Sequence, residues 1–153
     1  MSKYWLMKSE PDVYSIDQLK ADKTTWWEGV RNYQARNFMM KDMQPCDKVL
    51  FYHSNAEPSG IAGLAEVSHS AKPDPSQFDR KSEYFDEKST KEKPIWFCVQ
   101  VKCIEKFKNF LSLEQLKSEK TLSQMLVLKK GQRLSVQPVT KEEFEHILKL
   151  GRK

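Results

Sequence analysis

Four short segments of the chain concentrate side chains that can stack, hydrogen-bond or carry charge. The first, Trp5-Leu6-Met7-Lys8-Ser9-Glu10-Pro11, runs from an apolar stretch into a cation, a hydroxyl and a carboxylate. The second is Trp27-Glu28-Gly29-Val30-Arg31-Asn32-Tyr33-Gln34-Ala35-Arg36-Asn37. The third, Phe51-Tyr52-His53-Ser54, ends a β-prone run. The fourth, Leu134-Ser135-Val136-Gln137-Pro138, puts two polar side chains on one face of an otherwise apolar strand. Glu10, Glu28 and His53 are the groups able to do acid–base work. No C-x-x-C or H-x-x-x-H spacing suggests a metal, and no cofactor loop stands out. Gly29-Val30-Arg31-Asn32 has one glycine and is not a phosphate-cradling loop.

Each residue taken singly has a plainer role. Trp5 and Trp27 suit core anchors, Asn32 a helix cap, and Arg31 and Arg36 partners for Glu10 or Glu28. His53 suits a hydrogen-bonded structural histidine, and Ser135 and Gln137 suit backbone-satisfying groups at a rim. Their common position favours a site: all four segments lie at strand ends or helix starts, where ligand sites are commonly built.

The elements that position them can be read from periodicity and caps. Residues 3–8 read as a strand. Ser15 with Gln18 opens a helix from Ile16 to about Asp22. Asn32 caps a second helix over Tyr33–Lys41, and Pro45-Cys46-Asp47 is a turn. Lys48–His53 is a strand, and Ser54–Gly60 a loop. Ile61–Ser68 is a strand with Ile61, Gly63, Ala65 and Val67 on one face. Residues 70–94 form a polar excursion longer than a connection requires. Ile95–Ile104 alternates as a strand, and Ser112 with Gln115 opens a short helix. Arg133–Val139 is a strand, and Thr140 with Glu143 starts a last helix through Leu150. The lack of regular βαβ alternation argues against a doubly wound parallel sheet. The expected fold is α+β: a small, mostly antiparallel barrel with short peripheral helices, in one domain over residues 1–153.

With 153 residues, 39% of them hydrophobic and 31% charged, the chain has the means for one packed core. No apolar run approaches the length of a membrane span, and no secretory signal is visible. A cytoplasmic location and, with no heptad pattern, a monomer are expected. The net charge of +5 falls mainly between Ile95 and Arg133, a stretch rich in lysine. Such a stretch attracts phosphate backbones or simply solubilises a surface. Cys46, Cys98 and Cys103 read as reduced thiols, the last two pointing to opposite faces of one strand.

The four segments, extended to Tyr4–Pro11, Gly29–Phe38, Phe51–Ser54 and Arg133–Pro138, resemble the signature blocks of the EVE domain family. The resemblance runs from about residue 3 to residue 149. Two positions depart from it. Cys46-Asp47 stands where the family usually has Gly-Asp, and Glu87 follows Tyr84-Phe85-Asp86 where a proline is common.

The resemblance implies a PUA-like fold and a pocket that reads a modified nucleobase in DNA or RNA without covalent chemistry, a 5-modified cytosine above all. A reader must flip the base or find it single-stranded and recover the cost by stacking. Trp27 is then the first choice of platform and Tyr52 the second. Glu10 is placed to accept from the cytosine amino group. Ser9, Asn32, Ser135 and Gln137 would donate to its acceptors, and His53 would do either. Lys8, Arg31 and Arg36 are candidates for flanking phosphates. Alanine at Trp27, Asn32 or His53 is expected to abolish binding and spare the fold. The rival reading is an enzyme acting on modified nucleosides or bases with Glu10 and His53 as its acid–base groups.

Overall fold

The computed structural model describes residues 2–131 and 133–153. Six strands form one sheet: β1 (Tyr4–Ser9), β2 (Thr24–Trp26), β3 (Lys48–His53), β4 (Gly60–Pro73), β5 (Phe97–Ser112) and β6 (Val136–Val139). Four short helices, α1 (Ile16–Asp22), α2 (Tyr33–Asn37), α3 (Leu113–Lys117) and α4 (Lys141–Arg152), accompany them. The strand order is β2-β5-β4-β3-β1-β6. All pairings are antiparallel except β1 with β3, which is parallel. The fold is thus α+β. The ladder is open, because β2 and β6 are its two ends and no pairing joins them among the described residues.

Alternation along the central strands gives the sheet a core on each face. Trp5 and Met7 of β1 and Val49 and Phe51 of β3 join Val67, Val99, Val101, Trp27 and Val136 in one cluster. Leu6, Leu50 and Tyr52 point the other way, onto Leu64, Phe107, Phe144 and Ile147. Helix α4 lies against this second face, with Gly151 packed on the Phe107 ring. Its start carries the full reciprocal cap expected at Thr140 and Glu143.

Several elements depart from the expectations. Register shifts in β4 move Ile61 into the second cluster while Ala65 and Val67 face the first, so the four residues do not share a face. Strand β5 starts at Phe97 because the Ile95 and Trp96 amides donate to Gln77 Oε1 instead of to a ladder. It continues to Ser112 because β4 pairs with it that far. Helix α2 gives way after Asn37 to a wider π turn over Phe38–Asp42. Strand β6 is shorter than expected, although the Lys8 amide still donates to the Ser135 carbonyl. The excursion begins at Asp74 and not at residue 70, because β4 runs on to Pro73, and residues 74–94 are built around two buried side chains, Asp74 and Gln77. Gln77 Nε2 donates to the carbonyls of Asp74 and Trp96, which ties both ends of the excursion together.

Candidate functional site

A cavity of about 1190 Å³ opens between the two ends of the ladder. One wall comes from the end of β1 and the approach to β6: Lys8, Ser9, Glu10, Arg133 and Ser135. The opposite wall is β2 and the turn after it, Thr25 through Arg31. Glu83 and Tyr84 of the long excursion close one side, and Tyr14 and Asn55 another.

The parallel register of β1 and β3 sets Ser9 beside His53, so the loops after both strands leave at the same end. There Asn55 Nδ2 donates to Glu10 Oε1 at 2.7 Å, and the Ser54 amide to the Ser9 carbonyl at 3.0 Å. Ser9 Oγ donates to the Tyr14 carbonyl at 2.6 Å. Burial and then the Asp22 carboxylate, which accepts from the Tyr14 hydroxyl, push that phenol up to about 12. Burial pushes the Lys8 ammonium below its ordinary range.

The opposite wall is anchored by Trp27, only 8% exposed and set edge-on against Phe51 with ring centroids 5.5 Å apart. Its amide donates to the Val99 carbonyl, which fixes it to β5. The chain then turns at Gly29, whose φ of +87° favours glycine. The Gly29 amide donates to Asp74 Oδ2 at 2.8 Å, and Arg31 Nη1 reaches the same oxygen at 3.1 Å. Arg31 also donates to the Tyr84 carbonyl and to Ser76 Oγ. Its guanidinium lies 5.4 Å from the Tyr84 ring centroid and 5.2 Å from that of Trp96. Burial alone would push the Asp74 carboxyl up. The Ser76 hydroxyl, the Gly29 and Ser76 amides and Arg31 outweigh it and hold the group below the usual carboxylate range. Asp74 therefore joins the turn after Trp27 to the excursion that carries Tyr84.

Of the side chains singled out in the sequence, Lys8, Ser9, Glu10, Trp27, Arg31 and Ser135 meet in this cavity. The others do not line it. Asn32 caps α2, its Oδ1 accepting from the Ala35 amide. Tyr52 is buried in the second core, on the far face of β3. His53 Nε2 accepts from the Ile16 amide at 3.1 Å and so holds the start of α1, with burial pushing its pKa below the ordinary value. Gln137 is buried and donates to the Leu134 carbonyl. Arg36 donates to Asn37 Oδ1 and the Ile95 carbonyl and covers the exposed Tyr33 ring. Glu10 and His53 are engaged with different partners, on different elements.

Sequence reasoning overlooked Trp26, Asn55, Glu83, Tyr84 and Arg133. Strand β2 has three residues, too few for a periodicity to register. Tyr84 had one cue, its place in the Tyr84-Phe85-Asp86-Glu87 block.

The EVE domain family model matches residues 3–150. Thymocyte nuclear protein 1 of Homo sapiens is 40% identical over 171 residues, spanning 100% of this chain and 76% of that protein. A hypothetical protein from Leishmania major has a TM-score of 0.94 at 49% identity, covering 99% of this chain and 95% of its own. Human THYN1 protein in complex with 5-methylcytosine-containing DNA gives a TM-score of 0.92 at 42% identity, with 99% of each chain covered.

Proposed function

The chain belongs to the EVE domain family, and we propose from that premise that its cleft binds a modified base of nucleic acid, 5-methylcytosine in DNA first of all, and releases it unchanged. The observation that carries this reading is the lining of the cavity. An indole stands opposite hydroxyls and carboxylates, with cations at both walls. A flat polar ligand attached to a phosphate chain needs those groups together. The relative bound to 5-methylcytosine-containing DNA, alike over nearly its whole length, supports the same reading.

Trp27 and its neighbour Trp26 offer the aromatic surface. Stacking there returns roughly 1–3 kcal/mol per base, against a flipping cost of about a few kcal/mol. Ser9, Glu10 and Ser135 meet the base edge from the other wall. Lys8 and Arg133 take flanking phosphates, while Arg31 serves mainly by holding Tyr84 and Gly29 in place. On this reading the curled sheet is a PUA-like barrel left open at the β2–β6 seam, where the ligand enters. What supports it is the single cluster drawn from β1, β3, β4, β5, β6 and Trp27. One copy of the chain suffices, because the cavity is lined from within it.

The test is binding of short fluorescent DNA and RNA oligonucleotides, each with one cytosine, plain or 5-methylated, at fixed moderate salt. Adenine-methylated strands serve as controls. The expected result is a preference of about tenfold or more for 5-methylcytosine in DNA. Equal affinity for every strand at equal salt slope would reduce the binding to phosphate attraction. Recovery of an altered base after incubation would favour an enzyme.

A further inference from the structure

Three carboxylates line the cavity: Glu10, Glu28 and Glu83. Glu10 accepts from Asn55, and Glu83, after burial, acts on the neighbouring Tyr84 phenol and raises its pKa. The Glu28 carboxyl has no hydrogen bond or ion pair among the described residues, and only its backbone amide is engaged, with the Trp26 carbonyl. It follows Trp27 in the chain and lines the same cavity, within reach of a ligand held there. An ionised carboxylate offers acceptors only. The pairing edge of a cytosine offers an amino donor beside a ring-nitrogen acceptor. A carboxylate facing it makes one good contact and one repulsive one, and a single proton between oxygen and ring nitrogen turns both into hydrogen bonds.

We propose that Glu28 grips the pairing edge of the bound base through two hydrogen bonds, accepting from its exocyclic amine and sharing one proton with its ring nitrogen, so that binding takes up a proton from solvent. The inference rests on the reading of the cleft as a base pocket. The surroundings suit it. Burial, then the negative Asp74, pushes the Glu28 carboxyl above its ordinary range, with Lys72 and Arg31 opposing. Cys98 of β5, also near, is pushed up to about 12 by burial and stays uncharged. Lys8, Glu10, Glu83, Tyr84 and Arg133 line the same cavity, and so does Tyr14 as a neutral phenol. A base seated in the cleft removes more water from the carboxyl and favours the proton further. No other residue lining the cavity is asked to titrate near neutrality.

The test compares Glu28 with Glu28→Gln and Glu28→Leu, using one 5-methylcytosine DNA strand from pH 5.5 to 8 at constant ionic strength. Gln presents the same acceptor and donor without needing a proton. The native protein should weaken with rising pH by up to tenfold per unit, the limit for one proton taken up. E28Q should bind with nearly constant affinity and overtake the native protein by several-fold at pH 8. E28L should be weaker by about tenfold or more throughout. Calorimetry of the native complex in two buffers of different ionisation enthalpy should count proton uptake directly. Parallel pH profiles for native and E28Q proteins, or full affinity in E28L, would overturn the role of Glu28 while a retained preference for the methylated base leaves the cleft's reading standing. Loss of that preference in the native protein at every pH would remove both.

Discussion

Gly29 and Tyr84, 55 positions apart in sequence, are in such close contact that a Cβ on Gly29 would stand 2.7 Å from Tyr84 Cε2. The turn after Trp27 and the long excursion thus share one wall of the cleft. Gly29→Ala meets two penalties: the positive φ, about 1–2 kcal/mol, and displacement of the Tyr84 ring. We expect destabilisation by denaturant titration and weaker oligonucleotide binding. In a Tyr84→Ala background the substitution should cost less, since only the backbone penalty remains. A full additive penalty in that double-mutant cycle would mean the ring contact is energetically idle.

Asp74 is expected to be the most sensitive polar position outside the cores. It is fully buried and serves the Gly29 amide, the Ser76 amide and hydroxyl, and Arg31. Asp74→Ala leaves these donors unanswered and should cost about 3 kcal/mol or more. Proteolytic cleavage within residues 79–93 should rise in parallel. Neutralising the exposed Lys141–Glu145 pair, at 3.8 Å, should shift stability by no more than about 0.5 kcal/mol.

His53 should make stability depend on pH below neutrality. Its Nε2 accepts from the Ile16 amide only when that nitrogen is unprotonated. Burial is the larger cause of its lowered pKa; Asp17 opposes it and Lys106 adds to it. A folded-state pKa below the unfolded value means the unfolded chain binds the proton more readily. The contribution is therefore complete above about pH 6.5 and is lost as pH falls through the lowered folded value. His53→Gln keeps an acceptor and removes the titration. The difference in urea midpoint between the two proteins should narrow in favour of Gln from pH 7.5 to pH 5. A difference independent of pH would show that His53 does not titrate in that window.

Cys46 occupies φ +79°, in a turn where its amide donates to the Val67 carbonyl. The thiol is free and the residue exposed, which leaves little burial to offset the strain. Cys46→Gly should stabilise the protein by roughly 1 kcal/mol, or about 2–4 °C in Tm for a chain of this size. A lower Tm would mean that the added freedom of glycine in the unfolded chain outweighs the relieved strain.

Local chemistry was the legible part of the fold. The bounds of α1 and β3 follow from the sequence because Ser15 accepts from the Gln18 amide and Lys48–His53 alternates between two cores. What depends on pairing partners was hidden. Strands β4 and β5 support one another well beyond their apolar stretches, and the short β2 exists because β5 is there to receive it. The site divides the same way. Trp27, Ser9 and Ser135 were visible as strand-end chemistry. His53 and Gln137 have equally suggestive side chains, but each meets a nearby backbone group first. Tyr84 could not be placed without Asp74 and Gln77, whose burial draws the polar excursion back onto the sheet.

The cleft lies between β2 and the paired strands β1 and β6, and this has a consequence for how the protein is made. During synthesis, β1 leaves the ribosome early and waits for a neighbour encoded more than a hundred residues later. Until Val136–Val139 docks beside it, the wall opposite Trp27 lacks Arg133 and Ser135 and is incomplete. Ligand capture thus waits until β6 has docked. A ligand held across the seam in turn ties β2 to the β1–β6 edge, so that opening the seam requires letting go of the cargo.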